Sequence, residues 1–211
     1  MGSPIAKRNV LLEGTAPLTV KQKEMFEYFG VGSKIKPPYR ILNPHHIHVG
    51  DRTSIQEYSH INAFSDLSFL MDYIEPKFKK AFKAADYLYD SKVHIDRECQ
   101  IGRFFFISCT ARIRIHPNVV ISERVFVGDN HHTFFHPNVP IMQQPNQQGE
   151  PVEIKKGAWI GVGVAVLKGT SLGMNSVVGA NSVVQGIFPD HAIIAAPRAQ
   201  LITTRKENDP C

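Results

Sequence analysis

Ile154-Lys155-Lys156-Gly157-Ala158-Trp159-Ile160-Gly161-Val162-Gly163-Val164-Ala165-Val166-Leu167-Lys168-Gly169-Thr170-Ser171-Leu172 carries a beat of six that continues through Val178 and Val184. An aliphatic side chain opens each hexad. A short one follows four residues later, at Ala158, Val164, Thr170, Ser176 and Ser182. A helical stripe repeats at about 3.6 residues and a half-buried strand at 2, so a period of six calls for a short strand plus a corner, repeated. Three such units close one coil, and coils stacked at the roughly 4.8 Å spacing of paired strands form a prism of three parallel sheets. Small residues suit the corners, and Gly161, Gly173 and Gly179 are expected at bends where a missing Cβ helps. A β-sandwich is the ordinary alternative, but its turn signals recur every 8–12 residues without strict phase.

Working outward, Val49, Ile55 and Ile61 keep the same beat of six, in phase with Thr53 and Ser59. Ile95, Ile101 and Ile107 do too, before a two-residue slip to Ile115, Ile121 and Val127. About fifteen hexads predict roughly five coils in a single all-β domain. The expected layout is an N-terminal cap over 1–30, coils over 31–127, a loop over 128–153, coils over 154–188 and a tail over 189–211. Val20 to Phe29 reads as a short amphipathic helix covering an open end of the prism, where unpaired sheet edges invite association. Residues 65–92 read as an excursion between coils, and its Lys77, Lys79, Lys80 and Lys83 as a solvated face.

The chain has 211 residues, 43% hydrophobic, and no apolar run of membrane-spanning length. It shows no charged-then-apolar N-terminal pattern, although Met1-Gly2-Ser3 fits either a natural start or a cloning scar, so cytoplasm is the expected compartment. Cys99, Cys109 and Cys211 have no metal-ligand or disulfide spacing and read as structural. A net charge of +5 suits an anionic ligand. Its Lys and Arg are scattered and not interleaved with aromatics, which argues against a nucleic-acid partner.

Trp159-Ile160-Gly161 after a long loop, and Val178-Gly179-Ala180-Asn181-Ser182-Val183-Val184, resemble the hexapeptide-repeat acyltransferases. The resemblance implies a left-handed parallel β-helix; spacing alone says nothing of the hand. It also implies a homotrimer with active sites between subunits.

Between Val127 and Ile154 the beat stops. Loops beyond about 12–15 residues in a compact domain are usually functional or disordered. This one contains Asn130-His131-His132, Pro140-Ile141 and Gln143-Gln144. These residues resemble the active-site loop of sugar O-acetyltransferases, in particular the polysaccharide and lipopolysaccharide branch. Acyl transfer needs a base for the acceptor's proton, and histidine titrates near working pH. His131 is the first choice and His132 the reserve; both as plain loop histidines is the bland reading. Asp129 or Glu123 is a candidate to hold the other ring N–H, while Asp129 as a turn former is equally open.

The resemblance implies acetyl-CoA as co-substrate. Its pantetheine arm is expected beside Gly161, Val162, Gly179 and Ala180, with the Val162 N–H facing the developing oxyanion and Trp159 as a wall. The family tail reads Val-Val-Thr-Lys-Asp-Ile-Pro and later Gly-x-Pro-Ala-Lys. Here Val183-Val184-Gln185-Gly186-Ile187-Phe188-Pro189 and Ala195-Ala196-Pro197-Arg198-Ala199-Gln200 stand instead, leaving Lys168 or Arg198 to meet the nucleotide phosphates.

The function so implied is acetyl transfer to a hydroxyl, or less favourably an amine, of a sugar in a surface polysaccharide or its nucleotide-linked precursor, with no metal. A second reading is a γ-carbonic-anhydrase-like hydro-lyase using His131 and His136, with His116 or His94 as third ligand. A third is a non-catalytic β-helix.

Overall fold

Each inward aliphatic of the repeat seats a short strand of two to five residues. The computed structural model describes residues 9–197 and 200. Its strands form three sheets of seven. The first coil is Tyr28–Phe29, Lys34–Ile35 and Tyr39–Leu42; the second is Ile47–Val49, Ser54–Ile55 and Ser59–Ala63. Lys92–Ile95, Gln100–Ile101 and Phe106–Cys109 make the third, and Arg112–Ile115, Val120–Ile121 and Phe126–Gly128 the fourth. The fifth is Val152–Ile154, Trp159–Ile160 and Ala165–Val166; the sixth is Ser171–Leu172, Val177–Val178 and Val183–Val184. Ile187–Phe188 and Ile193–Ile194 begin a seventh. We call first, second and third sheet those made by the first, second and third strand of each coil.

The stack is therefore longer than five coils at both ends. Phe29, Ile35 and Ile41 already keep the period, and Ile35 and Ile41 are buried. Ile193–Ile194 pairs in parallel with Val177–Val178, so the repeat reaches into the expected tail. Strands pair in parallel throughout except Leu11–Gly14, which lies antiparallel on Tyr39–Leu42 and covers one edge of the third sheet. Among the described residues only Val20–Lys23 is α-helical, behind a capping box of Thr19 and Gln22. The helix buries nothing; Leu18 and Phe26 on either side of it join the core, and Phe29 becomes strand. Burial of Leu18 and Phe26 outweighs the local helical pattern.

Ile154, Ile160, Val166, Leu172, Val178 and Val184 are all buried, as are Ala158, Val164, Thr170, Ser176 and Ser182. Corner threonine hydroxyls reach to carbonyls of their own or the next coil, as Thr53 Oγ1 does to Asp96 O at 2.7 Å and Thr170 Oγ1 to Val184 O at 3.2 Å, while Ser182 Oγ accepts from Ala196 N at 2.9 Å and Ser176 Oγ is without a partner among the described residues. The bonds made explain why a short polar residue is tolerated in a dry position. The glycine reading needs correction. The left-handed corners belong to Gly157, Gly163 and Gly169, with φ of 72°, 69° and 73°, while Gly161 has no such φ. A Cβ on Gly161 would lie 2.8 Å from Ala180 N, so the next coil's backbone occupies the space.

The outer face of the first sheet carries a ring stack. Tyr28 lies on His48 with centroids 4.7 Å apart, and His48 on His94 at 3.9 Å and 11°. Burial holds both imidazoles below the ordinary value, their mutual repulsion adds for His94, and the carboxylates of Asp96, Glu27 and Asp51 oppose this less strongly while Arg114 reinforces it. With folded pKa values below the unfolded one, the unfolded chain binds more protons as pH falls through about 6.5. Stability is expected to decline from there downward until the folded histidines themselves protonate. Thermal unfolding at several pH values checks this, and His94→Gln should flatten the slope between pH 6.5 and 5; an unchanged slope rules the stack out as its cause.

Candidate active site

Both long insertions leave the prism at one corner. Residues 64–91 and 129–151 each join a third-sheet strand to the first-sheet strand of the next coil, and between them the same corner is turned tightly by Thr110 and Ala111. They pack on each other. The excursion forms two 3-10 turns, Ser68–Tyr73 and Ala84–Tyr87, around a small core of Ile74, Phe82 and Tyr87 that includes Val139 from the loop. Tyr87 Oη donates to Gln143 O at 3.3 Å and Tyr89 Oη to Asn146 O at 3.0 Å. Burial pushes the Tyr89 phenol up to about 12, keeping it a donor.

Asp129 roots the loop. Its fully buried carboxylate accepts from Thr110 N and Ala111 N, both at 2.8 Å, from Asn130 Nδ2 at 2.9 Å and from Cys109 Sγ at 3.2 Å. Burial, reinforced by this carboxylate, drives the Cys109 thiol up, and burial raises Cys99 to about 11, so both stay protonated. Gly149 closes the root, where a Cβ would lie 2.8 Å from Asp129 Cγ. With its oxygens so occupied, Asp129 does not orient a histidine, and that expectation is corrected. His131 Nδ1 instead lies 2.8 Å from the carbonyl oxygen of His132. A carbonyl only accepts, so Nδ1 carries the proton and the neutral ring has its lone pair on Nε2. The ring is half-buried against Phe134, at 5.4 Å between centroids, while the His132 side chain is exposed. Sequence reasoning missed this backbone carbonyl because no residue type signals it.

The second group lies at another corner, between the second and third sheets. Trp159 is half exposed and its Nε1 donates to Ser122 Oγ at 3.3 Å. Gly161 packs under Gly179 and Ala180 of the next coil. Among the described residues, the N–H groups of Val162 and Ala180 have no hydrogen-bond partner, although Val162 O accepts from Asn181 N at 2.8 Å. Small side chains and two free amides stacked on successive coils fit an amide-bearing chain laid along the corner. The nucleotide expectation fares differently: Lys168 Nζ is paired with Glu150 at 2.5 Å, which takes up its charge locally, and Arg198 lies outside the described residues. Within one chain, the histidine loop and the free amides thus sit on different corners of the prism.

The hydro-lyase ligands are not assembled among the described residues, where no three His, Cys, Asp or Glu side chains come together for a metal. His94 stacks on His48, His116 Nε2 bonds Glu153 Oε1 at 2.8 Å, and His136 lies edge-on to Phe82.

No family model matches the sequence. Curated proteins and solved structures do. Over 49% of this chain it is 34% identical to WbbJ of Escherichia coli, named as a lipopolysaccharide biosynthesis O-acetyl transferase, of which it covers 56%. It is 35% identical to the galactoside O-acetyltransferase of Lactococcus lactis over 40% of this chain and 44% of that one. AntD, an N-acyltransferase from Bacillus cereus solved with dTDP-4-amino-4,6-dideoxyglucose and coenzyme A, superposes with a TM-score of 0.64 over 92% of this chain and 93% of its own, at 18% identity. Over these stretches the chain is similar to proteins named for O-acetyl transfer, and it shares the fold of AntD. The chain is a left-handed parallel β-helix. It spans about half the length of these two curated acyltransferases. As in the hexapeptide-repeat pattern, Trp159-Ile160-Gly161 falls on the first coil after the loop.

Proposed function

We propose that the protein is an acetyl-CoA-dependent acetyltransferase acting on a sugar hydroxyl, and that its active site forms between two copies of a homotrimer. The observation that carries this is His131, with Nδ1 engaged by the His132 carbonyl and Nε2 left to accept a proton. The sequence relatives named for O-acetyl transfer support oxygen over nitrogen as acceptor. Location of His131 and Val162 on different corners supports a shared site, in which the loop of one copy meets the free amides of another. Exposed apolar side chains flank those amides: Trp159 and Ile193 on the second sheet and Val183 on the third. They are the kind of surface a second copy covers.

Acetyl-CoA supplies the activated acetyl group as a thioester. His131 Nε2 takes the acceptor's proton as its oxygen bonds to the acetyl carbon. The Val162 N–H holds the carbonyl oxygen as negative charge develops there. As the carbon–sulfur bond breaks, the imidazolium returns the proton to the leaving sulfur, which balances the transfer. Trp159 and the stacked corner hold the pantetheine arm. Acetyl-CoA consumption with a panel of sugar acceptors, read with the mass of the product, tests this reading. O-acetylated sugar is expected, and no transfer to any acceptor overturns it.

A further inference from the structure

Where the excursion meets the histidine loop, they enclose a cleft of about 490 Å³, within the range of small-ligand sites. One wall belongs to the loop itself. Its two limbs pair as a short antiparallel ribbon: Gln147 N donates to His131 O at 2.9 Å, His132 bridges to Asn146, and Thr133 N donates to Pro145 O at 3.0 Å. Thr133, Asn146 and Gln147 from this ribbon line the cleft, so its wall is continuous with the residue that carries the base. The opposite wall is the excursion, with Phe82, Asp86 and Tyr89, stapled to the ribbon by the Tyr89 hydroxyl.

The lining chemistry is specific. Among the described residues, the Thr133 hydroxyl and the Asn146 and Gln147 carboxamides make no hydrogen bond, so donors and acceptors alike are left unpaired there. A sugar hydroxyl is likewise both donor and acceptor. Phe82 and its alanine neighbours give an apolar strip for the C–H face of a ring. No Lys or Arg lines the cleft; its ionisable side chains besides the Tyr89 phenol are one carboxylate, Asp86, and one imidazole, His136, which stands edge-on to Phe82. A diphosphate is held by several cations or charge-assisted donors; this cleft offers a single imidazole, His136, and Asp86 would repel the phosphates.

Resting on the acetyltransferase reading, we infer that this cleft is the acceptor subsite and that it takes an uncharged glycan ring, not a sugar carried on a nucleoside diphosphate. The acceptor is then a glycan not attached to a nucleotide, and where that glycan was built from nucleotide-linked sugars, glycosyl transfer precedes acetylation.

The test uses the whole protein without coenzyme, with neutral hexoses, deoxyhexoses and N-acetylhexosamines as probes beside their UDP- and dTDP-linked forms, in saturation-transfer NMR. Neutral sugars should bind, and the double variant Thr133→Val/Asn146→Ala should weaken them about tenfold while leaving the melting temperature unchanged. In turnover the same variant should raise KM about as much, with kcat within a few-fold. Equal binding by wild type and variant, or preference for the nucleotide-linked forms, overturns the assignment. Transfer with a KM indifferent to the variant sinks the cleft and leaves the acetyltransferase standing. Variant-sensitive binding without transfer does the reverse.

Discussion

Replacing His131 with alanine should lower kcat for acetyl transfer by about 10²–10⁴-fold, the range general-base catalysis contributes. His132→Ala should stay within a few-fold of wild type. The asymmetry follows from geometry: what His132 supplies is its backbone carbonyl, 2.8 Å from His131 Nδ1, and alanine keeps that carbonyl. Its own side chain is exposed. Steady-state rates of both variants at saturating sugar decide the matter, and equal losses would show that the pair acts differently. His131→Gln adds a control, since a carboxamide donates to the same carbonyl yet offers no basic nitrogen.

Asp129→Ala should cost stability before it costs chemistry. The substitution strips hydrogen-bond partners from Thr110 N and Ala111 N at a corner where Thr110 is fully buried. An orphaned buried donor costs about 1–3 kcal/mol, so the pair predicts roughly 2–5 kcal/mol. For a chain this size that is a fall in melting temperature on the order of 10 °C. Calorimetry of the variant reads it directly. A Tm within a degree of wild type, with kcat alone reduced, would return Asp129 to the role of orienting residue.

The repeat made the prism legible because every inward position of 154–184 is set by one rule, a buried aliphatic per strand, and all of them are buried. The first coil is harder to read: Pro37-Pro38 separates Ile35 from Ile41, and Val20 to Phe29 offers a helical stripe that competes with it. Sequence spacing found the glycines but not their reasons, since a close approach by the next coil and a left-handed corner both select glycine. For the site, residue types named His131, Trp159 and the Gly161 corner. The contact between the two insertions was not legible, because Val139 packing on the cluster of Ile74, Phe82 and Tyr87 is a long-range event between irregular segments without a period. Nor was the root role of Asp129, which depends on two backbone amides of a coil 18–19 residues earlier.

That both insertions spring from a corner has a consequence for how this protein can change. At the third coil the same junction is spanned by Thr110 and Ala111 alone, and the sheets on either side stay in register regardless of what is inserted. The stack behaves as a chassis with interchangeable fittings: beyond the root formed by Asp129 and Gly149, the two insertions can lengthen, shorten or be swapped without shifting a rung of the ladder beneath. Because the two fittings hold each other through Tyr87, Tyr89 and Val139, however, they form one exchangeable cassette. On the proposed function, altering which sugar is accepted therefore means transplanting them together.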